Sequence, residues 1–240
     1  MTVAAVILAA SPASALVDAA GRASVRRIAE TAWAGGAMPL VVVAPDPDGA
    51  IAAALGGSEA ILVSPAVSAA PADVAPAPDA GPAAQMVRGM TAAVTLVAST
   101  DAALVWPVHM AWVDAETVTM LLQAHGLEPV ALLRPHWQQV PGWPVLVPVR
   151  HLDALGALAA DRMPDDAIAD LAATGVALRT LDLGDPGAVM DRDTPMDALP
   201  PYVGPAAPVG TPPDWGAVAA DLTDEAPAAS APHLAPWNDG

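Results

Sequence analysis

Residues 3–8 read Val-Ala-Ala-Val-Ile-Leu, an apolar run that no polar residue interrupts. Runs of this kind are typical of strands buried on both faces, as in parallel sheets. Comparable runs occupy 39–44, 60–63 and 102–106, and residues 24–33 carry apolar side chains at helical spacing between two of them. This alternation predicts an α/β fold with three layers in α/β/α order around a mostly parallel, Rossmann-like sheet.

The rest of the predicted domain continues in the same way. Apolar periodicity and capping residues predict further helices over 83–98, 114–125, 151–160 and 165–173. Shorter apolar or alternating segments predict strands over 129–133, 145–147 and 177–183. Residues 68–82 are rich in Pro and Ala and are expected to form a loop.

The composition changes after about residue 200. No arginine or lysine follows Arg192, while Pro, Ala and acidic residues are frequent, and only 215–222 has the pattern of a short helix. We therefore predict a domain over 1–199, followed by a Pro/Ala-rich acidic C-terminal tail over 200–240.

The chain is strongly acidic. Nine basic residues, all arginine, stand against 26 acidic ones, for a net charge of −17. Nucleic acids and anionic membrane surfaces are bound by clustered Lys and Arg, so we predict that the protein binds neither. No apolar segment is long enough for a membrane span, so we expect a soluble protein, and we predict a cytoplasmic location. Cysteine is absent, which excludes disulfides but does not indicate the compartment.

The N-terminus has a second interpretation. Residues 1–15 contain an apolar run and end in Ala-Ser-Ala, as a secretory signal does, but no Lys or Arg precedes the run. On that interpretation the protein is an exported structural protein. On the other, the run is the first buried strand of the domain.

Five landmarks along the chain occur in a recognisable order. They are Ala5-Val-Ile-Leu-Ala-Ala10, Gly21-Arg22 before a helix and Pro39-Leu-Val-Val-Val43, Ala102–Trp106 with Val113–Thr117, Pro141-Gly-Trp-Pro-Val-Leu146, and Gly184-Asp-Pro-Gly187 with Asp191-Arg-Asp-Thr-Pro195. Because these landmarks occur in this order, the chain resembles the MobA-like nucleotidyltransferases, the molybdenum cofactor cytidylyl- and guanylyltransferase-like family. That family joins a CTP- or GTP-derived nucleotide to molybdopterin and other phosphorylated acceptors. The resemblance implies a nucleotidyltransferase-like sheet and, as ligands, Mg²⁺ with CTP or GTP.

The resemblance places a nucleotide loop after the first strand. It implies nucleotide contacts from Ala9, Ala10, Ser11, Ser14 and Arg22. The family's loop is Gly-rich and carries an arginine and a lysine. Here Ser11 stands at the glycine, Pro12 has no amide hydrogen to donate, and Asp18 would repel phosphate. The same residues also fit an ordinary loop between a strand and a helix.

Two residues correspond to the family's metal ligands. His109 stands where the resemblance places the first metal-binding aspartate, and Asp191 corresponds to the second. Imidazole suits zinc or copper better than Mg²⁺, which prefers oxygen. One alternative is a packed or solvent-facing His109. The other is that residues 191–195 (the closing box) have a structural role, with Asp193-Thr-Pro195 capping a helical turn.

Four tryptophans fall in loops or strand ends around the expected cleft: Trp106, Trp112, Trp137 and Trp143. They are candidates for contact with an acceptor or a protein partner. Because the chain has no Phe and a single Tyr, they are also candidates for the aromatic part of the core.

The missing loop glycine, cations and metal aspartate remove the main electrostatic contributions to nucleotidyl transfer. We therefore predict a pseudoenzyme of this family, with no catalytic residue assigned. It would act as a binding or assembly subunit with a protein partner and a possible nucleotide ligand, linked to molybdenum-cofactor enzymes. The alternative is an active molybdopterin cytidylyl- or guanylyltransferase with substituted ligands.

Overall fold

A computed structural model describes residues 2–65 and 81–204 of the protein. All of them lie within one unit, Met1–Ala206. The helix predicted over 215–222 and most of the loop predicted over 68–82 lie outside the described residues. Within the described ranges, no helix is both long and apolar enough to cross a membrane.

The first apolar run forms β1 (Thr2–Leu8), which lies in the middle of the sheet. It pairs in parallel with β2 (Leu40–Val43) on one side and with β4 (Thr100–Pro107) on the other. Ala4 to Ile7 are fully buried, which explains why the run is apolar at every position instead of at alternate ones. Cleavage after Ala15, as an export signal requires, would remove this strand from between its two neighbours.

The sheet has eight strands in the order β3-β2-β1-β4-β7-β5-β6, with β8 paired to β5. The remaining strands are β3 (Ala60–Val63), β5 (Leu132–Trp137), β6 (Val140–Pro141), β7 (Val145–Pro148) and β8 (Leu178–Asp182). Strands β1 to β4 are mutually parallel where they pair, and β8 is parallel to β5. Strand β7 runs antiparallel to both β4 and β5, so β4 and β5 point in the same direction.

Helices cover both faces of the sheet. They are α1 (Pro12–Ala15), α2 (Ser24–Ala34), α3 (Ala50–Ala54), α4 (Pro82–Leu96), α5 (Ala115–Leu127), α6 (Leu152–Gly156) and α7 (Pro164–Ala173). Helix α2 packs against α5, whereas α4 packs against α6 and α7, and both α2 and α4 contact β1 and β2. The predicted three-layer, mostly parallel fold is confirmed.

Some local predictions differ from the structure. The strand predicted over 129–133 begins at Leu132, because α5 continues to Leu127 and residues 129–130 form a turn. The helix predicted over 151–160 is only Leu152–Gly156 and follows a short 3₁₀ turn. The antiparallel direction of β7 was not predicted from the sequence. A fully buried apolar strand has the same pattern in either direction.

Candidate functional site

A pocket of about 230 Å³ lies at the edge of the sheet where the carboxyl ends of β1 and β4 meet. Leu8 and Pro107, the last residues of these strands, both line it. Strands β5 and β8 end at the same edge, so the chain after Asp182 reaches this region too. Open α/β sheets bind their ligands at this edge. The polar and aromatic lining residues are Ser14, Gln85, His109, Trp143, Asp165 and Arg192.

A larger groove of about 620 Å³ lies beside β3, between α4 and α6. Its lining is mostly apolar, with Ile61, Val87, Leu96 and Leu155 among its residues. It includes none of the residues that the sequence singled out. Because ligand sites combine apolar walls with a few converging polar groups, we place the candidate site in the smaller pocket.

The loop after β1, residues 9–22 (the β1 loop), contains the short helix α1. Ser11 caps this helix: its hydroxyl oxygen accepts a hydrogen bond from the Ser14 amide at 3.1 Å. In return the Ser14 hydroxyl oxygen accepts a hydrogen bond from the Ser11 amide at 3.2 Å and donates one to the Ser11 carbonyl at 2.8 Å. The two serines therefore form a reciprocal capping box.

Several other amides in this loop are also engaged. The amides of Ala15 and Leu16 donate to the Ser11 and Pro12 carbonyls, and the Ala9 amide donates to Val43 of β2. Pro12 has no amide hydrogen. These N–H groups are therefore already used and do not serve as the phosphate donors that such loops provide.

The structure separates the five residues predicted to contact a nucleotide. Ala10 and Ser14 line the pocket, and Ser11 caps the helix behind them. Ala9, the residue after β1, is fully buried. Arg22 is largely exposed and its guanidinium pairs with Glu30 of α2, away from the pocket-lining residues. Their roles in nucleotide binding stay predictions.

His109 lines the pocket, and the backbone holds the segment that contains Asp191 beside it. The His109 carbonyl accepts a hydrogen bond from the amide of Arg192, the residue after Asp191, at 2.8 Å. Although one side of His109 faces solvent, desolvation lowers the pKa of its imidazole, and the positive charge of Arg192 lowers it further. The carboxylates of Asp191, Asp165 and Asp193 act in the opposite direction. A neutral imidazole is therefore favoured near neutral pH.

This donor set does not fit Mg²⁺, the metal that the family resemblance implies. Mg²⁺ requires near-octahedral coordination by oxygen, from carboxylates, phosphates and water. The two corresponding positions supply one carboxylate and one imidazole. The Asp191 carboxylate already accepts a hydrogen bond from the Asp193 amide at 3.0 Å. No three His, Cys, Asp or Glu side chains gather as a metal site among residues 2–65 and 81–204.

The hydrogen bonds within the closing box differ from the prediction that Asp193 caps the turn. Asp191, not Asp193, closes the turn: its carboxylate accepts from the Asp193 amide and its carbonyl from the Thr194 amide. Pro195 then precedes a short 3₁₀ helix, Met196–Ala198.

Asp185 is a buried carboxylate that sequence reasoning missed. Only 2% of it is exposed, and it joins the segment after β8 to the start of α5. One oxygen accepts hydrogen bonds from the Asp114 amide at 2.9 Å and the Thr117 hydroxyl at 2.7 Å. The other accepts from the Gly187 amide at 2.8 Å. Burial raises the pKa of this carboxyl group, and the three donors oppose that effect.

A local signal for this anchor was present in the sequence. Asp185-Pro-Gly187 is a turn motif in which an aspartate accepts from the amide two residues on. Its contact with Asp114 and Thr117 is not local and has no sequence signature. Asp114 itself caps α5 as predicted, accepting from the Glu116 amide at 2.9 Å.

The four tryptophans lie in different environments. Trp106 is fully buried and donates from Nε1 to the Met110 carbonyl at 2.8 Å, and Trp137 is half-buried at the end of β5. Trp112 and Trp143 are mostly buried, and an arginine lies over each ring, Arg27 at 5.0 Å and Arg134 at 5.3 Å. Of the four, only Trp143 lines the pocket. Contact with an acceptor or a partner stays a prediction.

Comparison with models of protein families identifies the family of this chain. The model of the MobA-like NTP transferase domain matches residues 5–174. The chain belongs to the MobA-like NTP transferase family. The family resemblance drawn from the sequence is thus confirmed. The match covers the β1 loop and His109 of this MobA-like chain, whereas Asp185, Asp191 and Arg192 lie beyond it.

Solved structures share the fold of this MobA-like chain at low sequence identity. A nucleotidyl transferase from Methanothermobacter thermautotroptrophicus is 18% identical, with a TM-score of 0.56 over 75% of this chain and 87% of that one. A 2-C-methyl-D-erythritol 4-phosphate cytidylyltransferase from Thermus thermophilus is 17% identical, with a TM-score of 0.56 over 78% and 91%. Rv0371c from Mycobacterium tuberculosis, solved with manganese, is 15% identical, with a TM-score of 0.54 over 76% and 89%. Comparison with curated protein sequences gives no match.

Proposed function

We propose that this MobA-like domain is catalytically degenerate and holds a phosphorylated ligand, instead of transferring a nucleotide. In this role it acts as a binding or assembly subunit for molybdenum-cofactor enzymes. The ligand class comes from family membership and from the cytidylyltransferase among the proteins that share its fold.

One observation carries the proposal: the β1 loop is closed by its own hydrogen bonds. Ser11 and Ser14 bind each other's amides, and the next two amides are taken within the loop. A triphosphate would have to break these bonds and would meet no arginine or lysine from residues 9–18. Arg22, the first cation after the loop helix, pairs with Glu30.

The consequence for catalysis follows from the chemistry of nucleotidyl transfer. The attack on the α-phosphate and the departure of pyrophosphate both concentrate negative charge, which amides, cations and a metal ion must stabilise. Losing one such donor commonly lowers a rate by about 10²–10³. Here several loop amides are already bonded, and the loop cations and one metal-binding carboxylate are missing, which supports binding without turnover.

A pyrophosphate-release assay tests the absence of turnover. We expect no release above background when the purified chain is incubated with Mg²⁺, CTP or GTP, and molybdopterin as the acceptor. Release that Asp191→Ala abolishes, and that Asp197→Ala in the nearby exposed 3₁₀ turn does not, would establish the alternative, an active cytidylyl- or guanylyltransferase with substituted ligands.

The assembly role is tested separately. We expect the full chain, co-expressed with a molybdenum hydroxylase from the same source, to sediment with that enzyme as one complex. Independent sedimentation of the two, with and without the cofactor, would exclude the assembly role and leave ligand binding to be judged by its own assay.

A further inference from the structure

Arg192 differs from the other pocket-lining residues in its charge. It is the only arginine that lines the pocket within the described part of the chain, which has no lysine. It is half-buried, and its Nη1 donates a hydrogen bond to the Ser14 carbonyl at 2.8 Å. Its Nε is buried without a hydrogen-bond partner among the described residues.

Within residues 2–65 and 81–204, no carboxylate forms an ion pair with Arg192, although those of Asp191, Asp165 and Asp193 act on the neighbouring His109. Its neighbour in the pocket, Asp165, instead pairs with Arg134 at 2.5 Å. Arg22, Arg26, Arg162 and Arg179 all form ion pairs with carboxylates. A partly buried guanidinium with unused N–H groups is costly in isolation, because desolvation is not offset by a partner of opposite charge. An anion in the pocket would supply that partner.

The backbone holds Arg192 where the family's metal site would be. Its amide donates to the His109 carbonyl, and its side chain reaches the Ser14 carbonyl, so one residue connects the two loops that flank the pocket. A fixed guanidinium beside His109 and Asp191 repels a divalent cation. The same group can donate two parallel hydrogen bonds to phosphate oxygens.

We propose that Arg192 takes the place of the divalent metal, and that this pocket binds the phosphate group of a phosphorylated small molecule without Mg²⁺. The volume of about 230 Å³ suits a phosphate or diphosphate group with the start of its substituent. It is below the range of about 300–1,000 Å³ that is typical of sites for whole drug-sized ligands. Only the class of ligand in this inference rests on the proposed function. The position of Arg192 and the pocket itself are observed independently of catalysis.

Calorimetry with inorganic pyrophosphate tests the proposal. We expect the wild-type chain to bind pyrophosphate in the presence of EDTA, and Arg192→Gln to weaken binding by about tenfold or more. Arg192→Lys, which keeps a cation and a donor for the Ser14 carbonyl, should recover part of the affinity. Arg150→Gln changes the net charge by the same amount and leaves the pocket lining unaltered, so it should bind like the wild type.

Three outcomes would overturn the proposal: no binding in EDTA, binding that requires added Mg²⁺, or an affinity that Arg192→Gln leaves unchanged. Circular dichroism of each variant establishes that it is folded before binding is compared. Failure of the proposed function gives a different result. Nucleotide turnover by the wild type would contradict the proposed function, but pyrophosphate would still bind in the presence of EDTA.

Discussion

The β1 loop and the segment after β8, residues 184–195 (the closing segment), lie far apart in the sequence but reach the same pocket. The β1 loop satisfies its polar groups internally, through Ser11 and Ser14, and directs no cation into the pocket. The closing segment does the reverse. Asp185 and Arg192 make their side-chain contacts to other parts of the chain, and Arg192 lines the pocket.

This contrast shows which of the two segments supplies a cation to the pocket. The strand β1 and the β1 loop lie within the family match, and residues 9–18 carry no arginine or lysine. The one cation in the described lining comes from the closing segment, beyond the matched residues. Substitutions in the closing segment should therefore affect the protein more than substitutions in the β1 loop.

The largest effect is expected at Gly187. A Cβ atom there would lie 2.1 Å from the Trp112 carbonyl oxygen, a backbone atom that cannot yield as a flexible side chain does. We expect Gly187→Ala to lower the free energy of unfolding by about 3 kcal/mol, at the upper end of overpacking costs. Urea denaturation followed by circular dichroism measures this.

The matched control is Gly156→Ala in α6, where a Cβ would meet no atom within 4 Å. Alanine favours the helix, so this change should be neutral or stabilise by up to about 1 kcal/mol. Equal effects at the two glycines would mean that the closing segment is not packed tightly against residues 107–114.

The next effect is expected at Asp185. Asp185→Ala removes the acceptor of the Asp114 amide, the Thr117 hydroxyl and the Gly187 amide, and leaves donors buried without partners. We expect a loss of about 2–3 kcal/mol in the free energy of unfolding, from the same denaturation experiment.

Asp182→Ala provides the comparison for Asp185. Its exposed carboxylate accepts one longer bond, from the Gly184 amide at 3.3 Å, so removing it should change stability by less than about 0.5 kcal/mol. If Asp185→Ala were as mild as Asp182→Ala, the buried anchor would not hold the closing segment in place.

The smallest effect is expected in the β1 loop. Ser11→Ala should cost about 1 kcal/mol or less through loss of the helix cap, whereas Ser11→Thr keeps a capping hydroxyl and should cost less. Pyrophosphate affinity, measured by calorimetry, should be the same for both variants and the wild type, because this hydroxyl is used within the loop. A tenfold loss of affinity in Ser11→Ala at unchanged stability would show that the β1 loop contacts the ligand directly.

Most of the fold could be predicted from the sequence because the sequence patterns of strands and helix caps are local. A run such as residues 3–8 is apolar at every position only if both faces of the strand are buried, and Asp114 caps α5 through an amide two residues away. The direction of β7 and the true start of β5 were not readable, since they depend on which strands pair. The candidate site was readable in part. The sequence pointed to Ser14, His109 and Trp143, which line the pocket. It did not predict a site role for Arg192, or the distant contacts of Asp185.

The sequence by itself determined the order of the longer strands and helices, the acidic charge, and the absence of cations from residues 9–18. Each of these depends on composition or on residues a few positions apart. Only the tertiary structure decided that Arg192 lies against Ser14, 178 positions earlier in the chain, and that Asp185 binds Thr117, 68 positions earlier. These contacts exist because β5 and β8 end at the same edge of the sheet as β1 and β4, and strand pairing alone brings those ends together.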